Sequence, residues 1–342
     1  LDPASALELF DDRSRVTRLV IPRDRPAASI EAAPGRLVQL TNLDKLFFPE
    51  RGFTKRDLLQ YYADVAPLVV PYLADRAMVL KRWPNGIAGE YFYMKRTPPG
   101  RPAWLRTCPI EHGSGNVIDF PVIDDAAGLL WMINLGCIDL NEWYARCDDT
   151  DRPDYLHFDL DPVEVSRFAT VREVALRVRD ALVELGMTPV VKTTGSSGMH
   201  VYVGIERGPL QKEVWTFAKA FALTLEKLFP DIITAEYRIA NRPAGRVLVD
   251  YNQNAWGKTL ASVYSVRARP AANVSTPVTW EEVEAGVELD DFRLDNVRER
   301  FARVGDLWSP LRIGARRFDL RPLLAGVSVP ARRKRRAPET PA

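Results

Sequence analysis

One eight-residue stretch constrains the fold more than any other. Residues 155–162 read Tyr-Leu-His-Phe-Asp-Leu-Asp-Pro. Apolar and polar side chains alternate, which is the period of a strand rather than a helix. Leu156, Phe158 and Leu160 then face a core, while His157, Asp159 and Asp161 share the opposite, exposed face. Two aspartates at i and i+2 sit ~7 Å apart, at ~3.3 Å rise per residue. Charges of one sign on one face repel and raise each other's pKa unless a cation stands between them. Carboxylates are the hard oxygen ligands of Mg²⁺ and Mn²⁺, so the pair predicts a divalent metal site, with Pro162 ending the strand beside it. The competing reading is a polar face that merely contains acids.

A third carboxylate lies in Arg-Val-Leu-Val-Asp-Tyr, residues 246–251. Val247 and Val249 share one face of that strand, so Asp250 shares the other with Leu248. If the two strands are neighbours, Asp159, Asp161 and Asp250 converge. Three carboxylates can hold two ions ~3.5–4 Å apart, the arrangement that clamps attacking and leaving oxygens in nucleotidyl transfer. Between two further strands, TPVVKTT and MHVYVGI, lies the loop Thr194-Gly195-Ser196-Ser197-Gly198 followed by Met199 and His200. Its hydroxyls and loose backbone N–H groups suit phosphate oxygens, and His200 adds a donor. A plain glycine hairpin would look the same. No GK[ST] opens a helix here, so the loop is not a Walker motif.

The rest of the chain alternates strands and helices. Thr54 and Asp57 form a capping box for a helix through Leu73, and a second helix spans about 125–138. Thr170 and Glu173 look like the cap of a helix ending at Leu185. Further helices are expected over Gln211 to Phe229, near Trp280 and from Leu294 to Val304, and a long strand over LASVYSVRA. Successive strands without intervening helices predict an α+β fold, with mainly antiparallel sheets forming a cleft flanked by helices. Residues 1–35 read as an arm or strand-bearing extension, with order beginning near Leu37. Residues 36–325 read as the catalytic domain, with lobes of about 36–150 and 151–325. Residues 326–342 read as a basic, disordered tail.

Charge supports an anionic polymer as partner. Residues 36–106 carry 12 basic and 6 acidic side chains, whereas 107–180 carry 6 basic and 15 acidic. Lys81, Arg82 and Arg267 are candidate triphosphate or DNA contacts. Phe92 and Tyr93 are candidates to stack on a template base, and Lys45 and Lys55 to share one phosphate. No apolar run approaches a membrane span, and no apolar leader opens the sequence. Three unevenly spaced cysteines read as free thiols in a reducing, cytoplasmic compartment, with Cys137 in the core of an apolar helix. Cys108 and His112 have one possible zinc spacing, but without a CxxC a structural zinc is not expected. A serine hydrolase is disfavoured because there is no GxSxG elbow.

In order, HFDLDP, TTGSSGMH and VLVDYNQN resemble the archaeo-eukaryotic primase superfamily. With LTNLDKLFFPERGFTKRDLLQYY and LKRWPNG, the chain from about Leu37 to Leu320 is similar to the polymerase domain of bacterial ligase D. No ligase motif is present, so the chain resembles a stand-alone or excised member. The resemblance implies a primase-polymerase fold with an RRM-like catalytic lobe. It implies a DNA-dependent nucleotidyltransferase using two Mn²⁺ or Mg²⁺ ions and preferring ribonucleotides. It assigns Asp159, Asp161 and Asp250 to metal and catalysis, and Lys81, Thr194, Ser196, Ser197, His200, Gln253 and Arg267 to the nucleotide. It assigns Lys45 and Lys55 to a downstream 5′-phosphate, and Phe92 and Tyr93 to the template. Implied partners are gapped or broken duplex DNA and nucleoside triphosphates, with Ku or a separate ligase as further candidates. The setting is a monomer at the bacterial nucleoid, in gap filling or end joining. Two positions depart from the family pattern: Ser197 stands where a lysine is usual, and Asn141 where a histidine is usual. Alternatives are a metal-dependent nuclease, or a non-catalytic module that binds DNA ends or gaps.

Overall fold

The computed structural model describes residues 19–325. The first half is a series of hairpins around two helices. Strands β1 (Ala28–Ala33) and β2 (Arg36–Leu40) pair, as do β3 (Leu46–Phe48) and β4 (Phe53–Thr54). Helix α1 (Lys55–Leu73) follows, then the pairs β5 (Leu80–Arg82) with β6 (Phe92–Met94), and β7 (Thr107–Glu111) with β8 (Val117–Pro121). Helix α2 (Ala126–Asn134) leads to β9 (Asn141–Trp143). Helix α1 starts where its capping box requires: the Thr54 hydroxyl accepts from Asp57 N, and the Asp57 carboxylate accepts from Thr54 N at 2.7 Å.

The second half runs β10 (Tyr155–Pro162), α3 (Phe168–Glu184), β11 (Val190–Thr193), β12 (Met199–Gly204), α4 (Gln211–Leu228), β13 (Ile233–Thr234) and β14 (Val247–Asp250). Strands β15 (Thr259–Ala261) and β16 (Pro277–Val278), then helices α5 (Trp280–Ala285) and α6 (Val297–Val304) and a last short helix α7 (Arg321–Leu324), complete it. The main sheet has the order β13-β14-β10-β12-β11-β16, antiparallel throughout except at β13–β14. Strands β10, β11, β12 and β14 with α3 and α4 make a β-α-β-β-α-β unit. Helices α3 and α4 cover one face. Leu156, Phe158 and Leu160 point into that layer, and the rings of Phe158 and Phe221 lie 4.8 Å apart. The mixed α+β reading, with a mainly antiparallel sheet, therefore holds.

Several details differ from the sequence reading. The polar face of β10 is not solvated: His157 and Asp159 are buried because Tyr144 and the β9–β15 pair lie over it. Helix α3 starts at Phe168, with Arg167 at its N-cap and no side-chain cap, so Thr170 lies inside the first turn. The strand expected over LASVYSVRA ends at Ala261. Tyr264 adopts a left-handed φ of 63°, its hydroxyl donating to Asp306 at 2.7 Å, and that breaks the strand. Cys137 lies beyond α2, not on it, and bridges to Arg82. Helix α6 begins three residues later than expected, at Val297. Order reaches back past Leu37: Ile21 is buried, and its N–H donates to Gln60. The tail at 326–342 and the first part of the N-terminal arm lie outside the described residues.

The expectation of three free thiols is also corrected. Cys108 and Cys147 form a disulfide, with Cα atoms 5.9 Å apart, and Cys137 alone is free among the described residues. The pairing is made by tertiary packing. Cys108 lies in a small second core with Val79, Ile110, Phe120 and Trp143, and Cys147 packs against it. Among the described residues no helix is long and apolar enough to cross a membrane.

Candidate active site

The site is built on the covered face of the main sheet. Asp159 stands directly opposite Asp250 on β14 and opposite His200 on β12. Asp161 follows at the end of the same strand, opposite Leu248. The three aspartates are therefore brought to one end of adjacent strands. Asp250 is held from its own loop: its carboxylate accepts from Asn252 N at 2.8 Å and from Gln253 Nε2 at 3.0 Å. Burial raises the pKa of Asp159. The charge of Asp159 raises that of Asp161, with burial and Asp250 adding to it. Burial raises that of Asp250 as well.

Lys192 and Arg267 offset only part of the effect of this burial at Asp159. Asp159 Oδ1 is buried without a closed hydrogen bond, and the charge of Asp159 pushes both Asp161 and Asp250 toward the neutral form. Their oxygens are the donor set that divalent Mg²⁺ or Mn²⁺ prefers, so in chemistry the residues fit such ions. Among the described residues the side chains are not closed into a ready-made cage of three or more ligands.

The loop between β11 and β12 is ordered from inside. Thr194 Oγ1 accepts from the N–H groups of Ser196, Ser197 and Gly198 at 3.1, 3.2 and 3.1 Å. Those N–H groups are thus not loose, as the sequence reading had them. Gly198 admits no side chain, since a Cβ would lie 2.0 Å from Leu160 O on the aspartate strand. Gly195 adopts a φ of +65° against the Val274 backbone. Thr194→Val keeps the shape and removes the shared acceptor. It should cost ~2–3 kcal/mol, as expected for stranding buried N–H donors, with Thr194→Ser close to wild type. Urea titration of the three proteins checks this; equal midpoints for Thr194→Val and wild type would overturn it.

Cations line the far side of the loop. The Arg267 guanidinium donates to Thr194 O at 2.7 Å. Arg269 donates from Nε to Ser196 Oγ at 3.1 Å. Ser197 is half-buried beside them. Lys81 and Arg267 approach the same buried carboxylate, Asp139 Oδ2, at 3.9 and 3.7 Å. Asn141 lies two residues on and donates to Asp139 O at 3.3 Å. Lys81 also sits over the Tyr91 ring at 4.3 Å and the Trp83 ring at 5.0 Å. Phe92 and Tyr93 are 46% and 60% exposed, with the Arg82 guanidinium over the Phe92 ring at 5.2 Å and Tyr93 edge-on to Tyr91 at 5.8 Å.

Lys45 and Lys55 also meet. The Lys55 N–H donates to Lys45 O at 2.8 Å, and Lys55 opens α1. Lys45 Nζ donates to Asn85 at 2.6 Å, and Lys55 Nζ to Thr41 O at 2.8 Å. Burial, then the charges of Lys45 and Arg82, pulls the Lys55 ammonium down to about 8.

Four participants were not singled out from the sequence. Lys192 is buried in β11, and its ammonium lies 2.8 Å from His200 Nδ1. Asp139 gathers two cations. Arg269 holds Ser196. Buried Asn254 clamps the aspartate strand, accepting from His157 N at 3.2 Å and donating to His157 O at 2.7 Å. The available signal was polarity inside apolar runs, as in Val-Val-Lys-Thr and Cys-Ile-Asp-Leu.

Residues 54–308 match the family described as LigD, primase-polymerase domain. The chain belongs to that family. It is 35% identical over 276 residues to the multifunctional non-homologous end joining protein LigD of Mycolicibacterium smegmatis, covering 80% of this chain and 36% of the relative. It is 30% identical over 274 residues to the bifunctional non-homologous end joining protein LigD of Bacillus subtilis, covering 78% of this chain and 43% of that protein. The chain thus spans less than half the length of these curated relatives. The structure matches the polymerase domain from Mycobacterium tuberculosis ligase D in complex with DNA, with a TM-score of 0.75 and 32% identity. That match covers 86% of this chain and 100% of the other. The α+β fold is therefore the LigD polymerase fold, and the strands carrying Asp159, Asp161 and Asp250 lie inside the matched span.

Proposed function

We propose that this LigD-family domain is a template-dependent nucleotidyltransferase that fills short gaps in duplex DNA from ribonucleoside triphosphates. The observation that carries the reading is the pairing of Asp159 with Asp250 across adjacent strands, with Asp161 beside them and Lys81 and Arg267 at hand. In this reading Asp159, Asp161 and Asp250 hold two Mn²⁺ or Mg²⁺ ions. Bound there, such ions lower the pKa of a 3′-hydroxyl and neutralise triphosphate charge.

The chain's own residues supply position and field. Gln253 and Asn252 N aim the Asp250 carboxylate. Thr194 shapes the loop, which passes against the aspartate strand at Gly198 and leads into His200. Lys81 and Arg267, held apart by Asp139, are placed to exchange that carboxylate for phosphate oxygens. Ser197 and Asn141 replace two potentially positive donors of the family pattern with neutral ones, so weaker nucleotide binding is expected. The surface of Tyr91, Phe92 and Tyr93 takes a template base. Lys45, with Lys55 behind it, takes the 5′-phosphate across the gap. Double-strand break repair beside Ku or a separate ligase is the proposed setting, because the relatives are named as end joining proteins.

The test is extension of a primer across a short gap with Mn²⁺, using ribo- and deoxyribonucleotides, with and without the downstream 5′-phosphate. Templated addition that prefers ribonucleotides and improves with the phosphate supports the reading. Degradation without addition would favour a nuclease, and binding without chemistry a passive module. Lys45→Ala/Lys55→Ala should lose about 10-fold or more of the phosphate preference and leave extension without the phosphate unchanged. The preference should also depend on pH. Lys55 is charged at pH 7 and loses its proton as pH rises through about 8, while a phosphate monoester is already ionised above ~6. The phosphate advantage should therefore be present at pH 7 and fall toward pH 9. A flat profile would remove Lys55 from the phosphate site.

A further inference from the structure

We propose that Lys192 is a positioning residue that locks His200 in the tautomer carrying its proton on Nε2, the nitrogen facing Asp159. Lys192 lies in the middle of β11, opposite His200 on β12. It is 1% exposed, and its ammonium has three partners. They are His200 Nδ1 at 2.8 Å, Ala261 O at 3.0 Å and Ser275 Oγ at 2.7 Å. The Ser275 hydroxyl spends its proton on Thr193 O at 3.0 Å, so it faces Lys192 as an acceptor. A carbonyl oxygen can only accept. Burial brings the pKa of Lys192 down to about 7, so below that pH the group is an ammonium, with three protons and no lone pair.

Three donors thus meet three acceptors, and Nδ1 of His200 must be the nitrogen with the lone pair. The neutral ring then carries its proton on Nε2, which stands 3.1 Å from Asp159 Oδ1. That hydrogen lies on the carboxylate's side of the ring, in an electrostatic contact not aligned as a closed hydrogen bond. In the other tautomer the carboxylate would meet a lone pair at the same distance and be pushed away. The partner of one ring nitrogen decides what the other presents, which is how groups behind a ligand orient it. A methionine would fill much of the lysine's volume without burying a charge, which is costly unless fully hydrogen-bonded. The ammonium at this position is therefore explained by its effect on His200. Nothing in the tautomer assignment depends on the polymerase reading; only its effect on turnover rests on that reading.

The test is long-range ¹H–¹⁵N correlation at pH 6, where Lys192 is charged and His200 neutral, on metal-free protein labelled at its three histidines, with His200→Asn assigning the His200 signals. In wild type, Nδ1 should appear unprotonated and Nε2 protonated. In Lys192→Met the pattern should move to the Nδ1-protonated form or average between the two. In Ser275→Ala, which keeps the ammonium, it should persist. With Mn²⁺ and a gapped template, Lys192→Met should lower kcat by about 10- to 100-fold, with a smaller change in nucleotide KM. A wild-type His200 protonated on Nδ1, or an unchanged tautomer in Lys192→Met, overturns the proposal. If Lys192→Met does not fold, the wild-type spectrum decides alone. If wild type shows the tautomer but extends no primer on any template, the polymerase reading falls and the tautomer assignment stands.

Discussion

Asp159→Asn and Asp161→Asn are each expected to reduce templated extension by at least about 10²–10³-fold while the protein folds as well as wild type or better. The two halves of this expectation have one cause. The carboxylates are held close together on a covered face, where burial and mutual repulsion oppose their charged forms. Such an arrangement is a cost to the metal-free fold, and it is useful only when cations neutralise it. An amide of the same shape relieves the repulsion and removes a charged donor. At pH 8, thermal unfolding of metal-free Asp161→Asn should therefore occur at or above the wild-type midpoint. Millimolar Mn²⁺ should raise the wild-type midpoint by mass action and leave Asp159→Asn/Asp161→Asn nearly unmoved. Asp250→Asn should behave likewise in extension, because Asp250 faces Asp159 across the strand pair. Wild-type turnover in Asp159→Asn, or the same Mn²⁺ response in the double variant, would dismiss the aspartates as ion ligands.

The aspartate arrangement was legible because two-residue alternation is a local property. Phe158 and Leu160 had to face one way, so Asp159 and Asp161 had to face the other. Asp250 followed by the same rule, and the only long-range assumption was that its strand neighbours the first. The covering of this face was not legible. It comes from β9 and β15, whose pairing joins residues about 118 apart in the chain. Lys192 shows the same limit. Its position on β11 follows from alternation, but its partners Ala261 and Ser275 lie 69 and 83 residues away. A lysine in a strand usually carries its charge to water along an apolar stem, so nothing local marked this one as buried. The thiols failed for a related reason: Cys108 and Cys147 are 39 residues apart, and pairing needs close Cα atoms, not a sequence spacing. The loop was misread because Thr194 was treated as an outward hydroxyl, whereas three N–H groups turn inward to it.

Arg76→Met is expected to destabilise the fold by about 3–5 kcal/mol, or roughly 4–7 °C in Tm for a chain of this size. Arg76 follows α1, and Asp154 immediately precedes the strand that carries the aspartates; both side chains are wholly buried. The Arg76 guanidinium donates to both Asp154 oxygens, at 2.7 and 2.9 Å, and to the carbonyls of Tyr72 and Tyr144. It also lies over the Tyr155 ring at 4.3 Å. Burial alone would raise the Asp154 pKa, yet Arg76, with Arg146 and Arg317, holds it below the usual carboxylate range. Methionine fills part of the volume but leaves two backbone carbonyls and a buried carboxylate short of donors. Arg146, at 2.9 Å, and Arg317, at 3.5 Å, remain and keep the loss within that range. Because the penalty is a stranded charge, Arg76→Met/Asp154→Leu should recover a large part of it, as Arg146 and Arg317 can turn toward water. Urea unfolding of the three proteins at pH 7.5 decides the matter. A single variant with the wild-type midpoint, or a double variant no more stable than Arg76→Met, would show that this pair does not fasten the end of α1 to the aspartate strand.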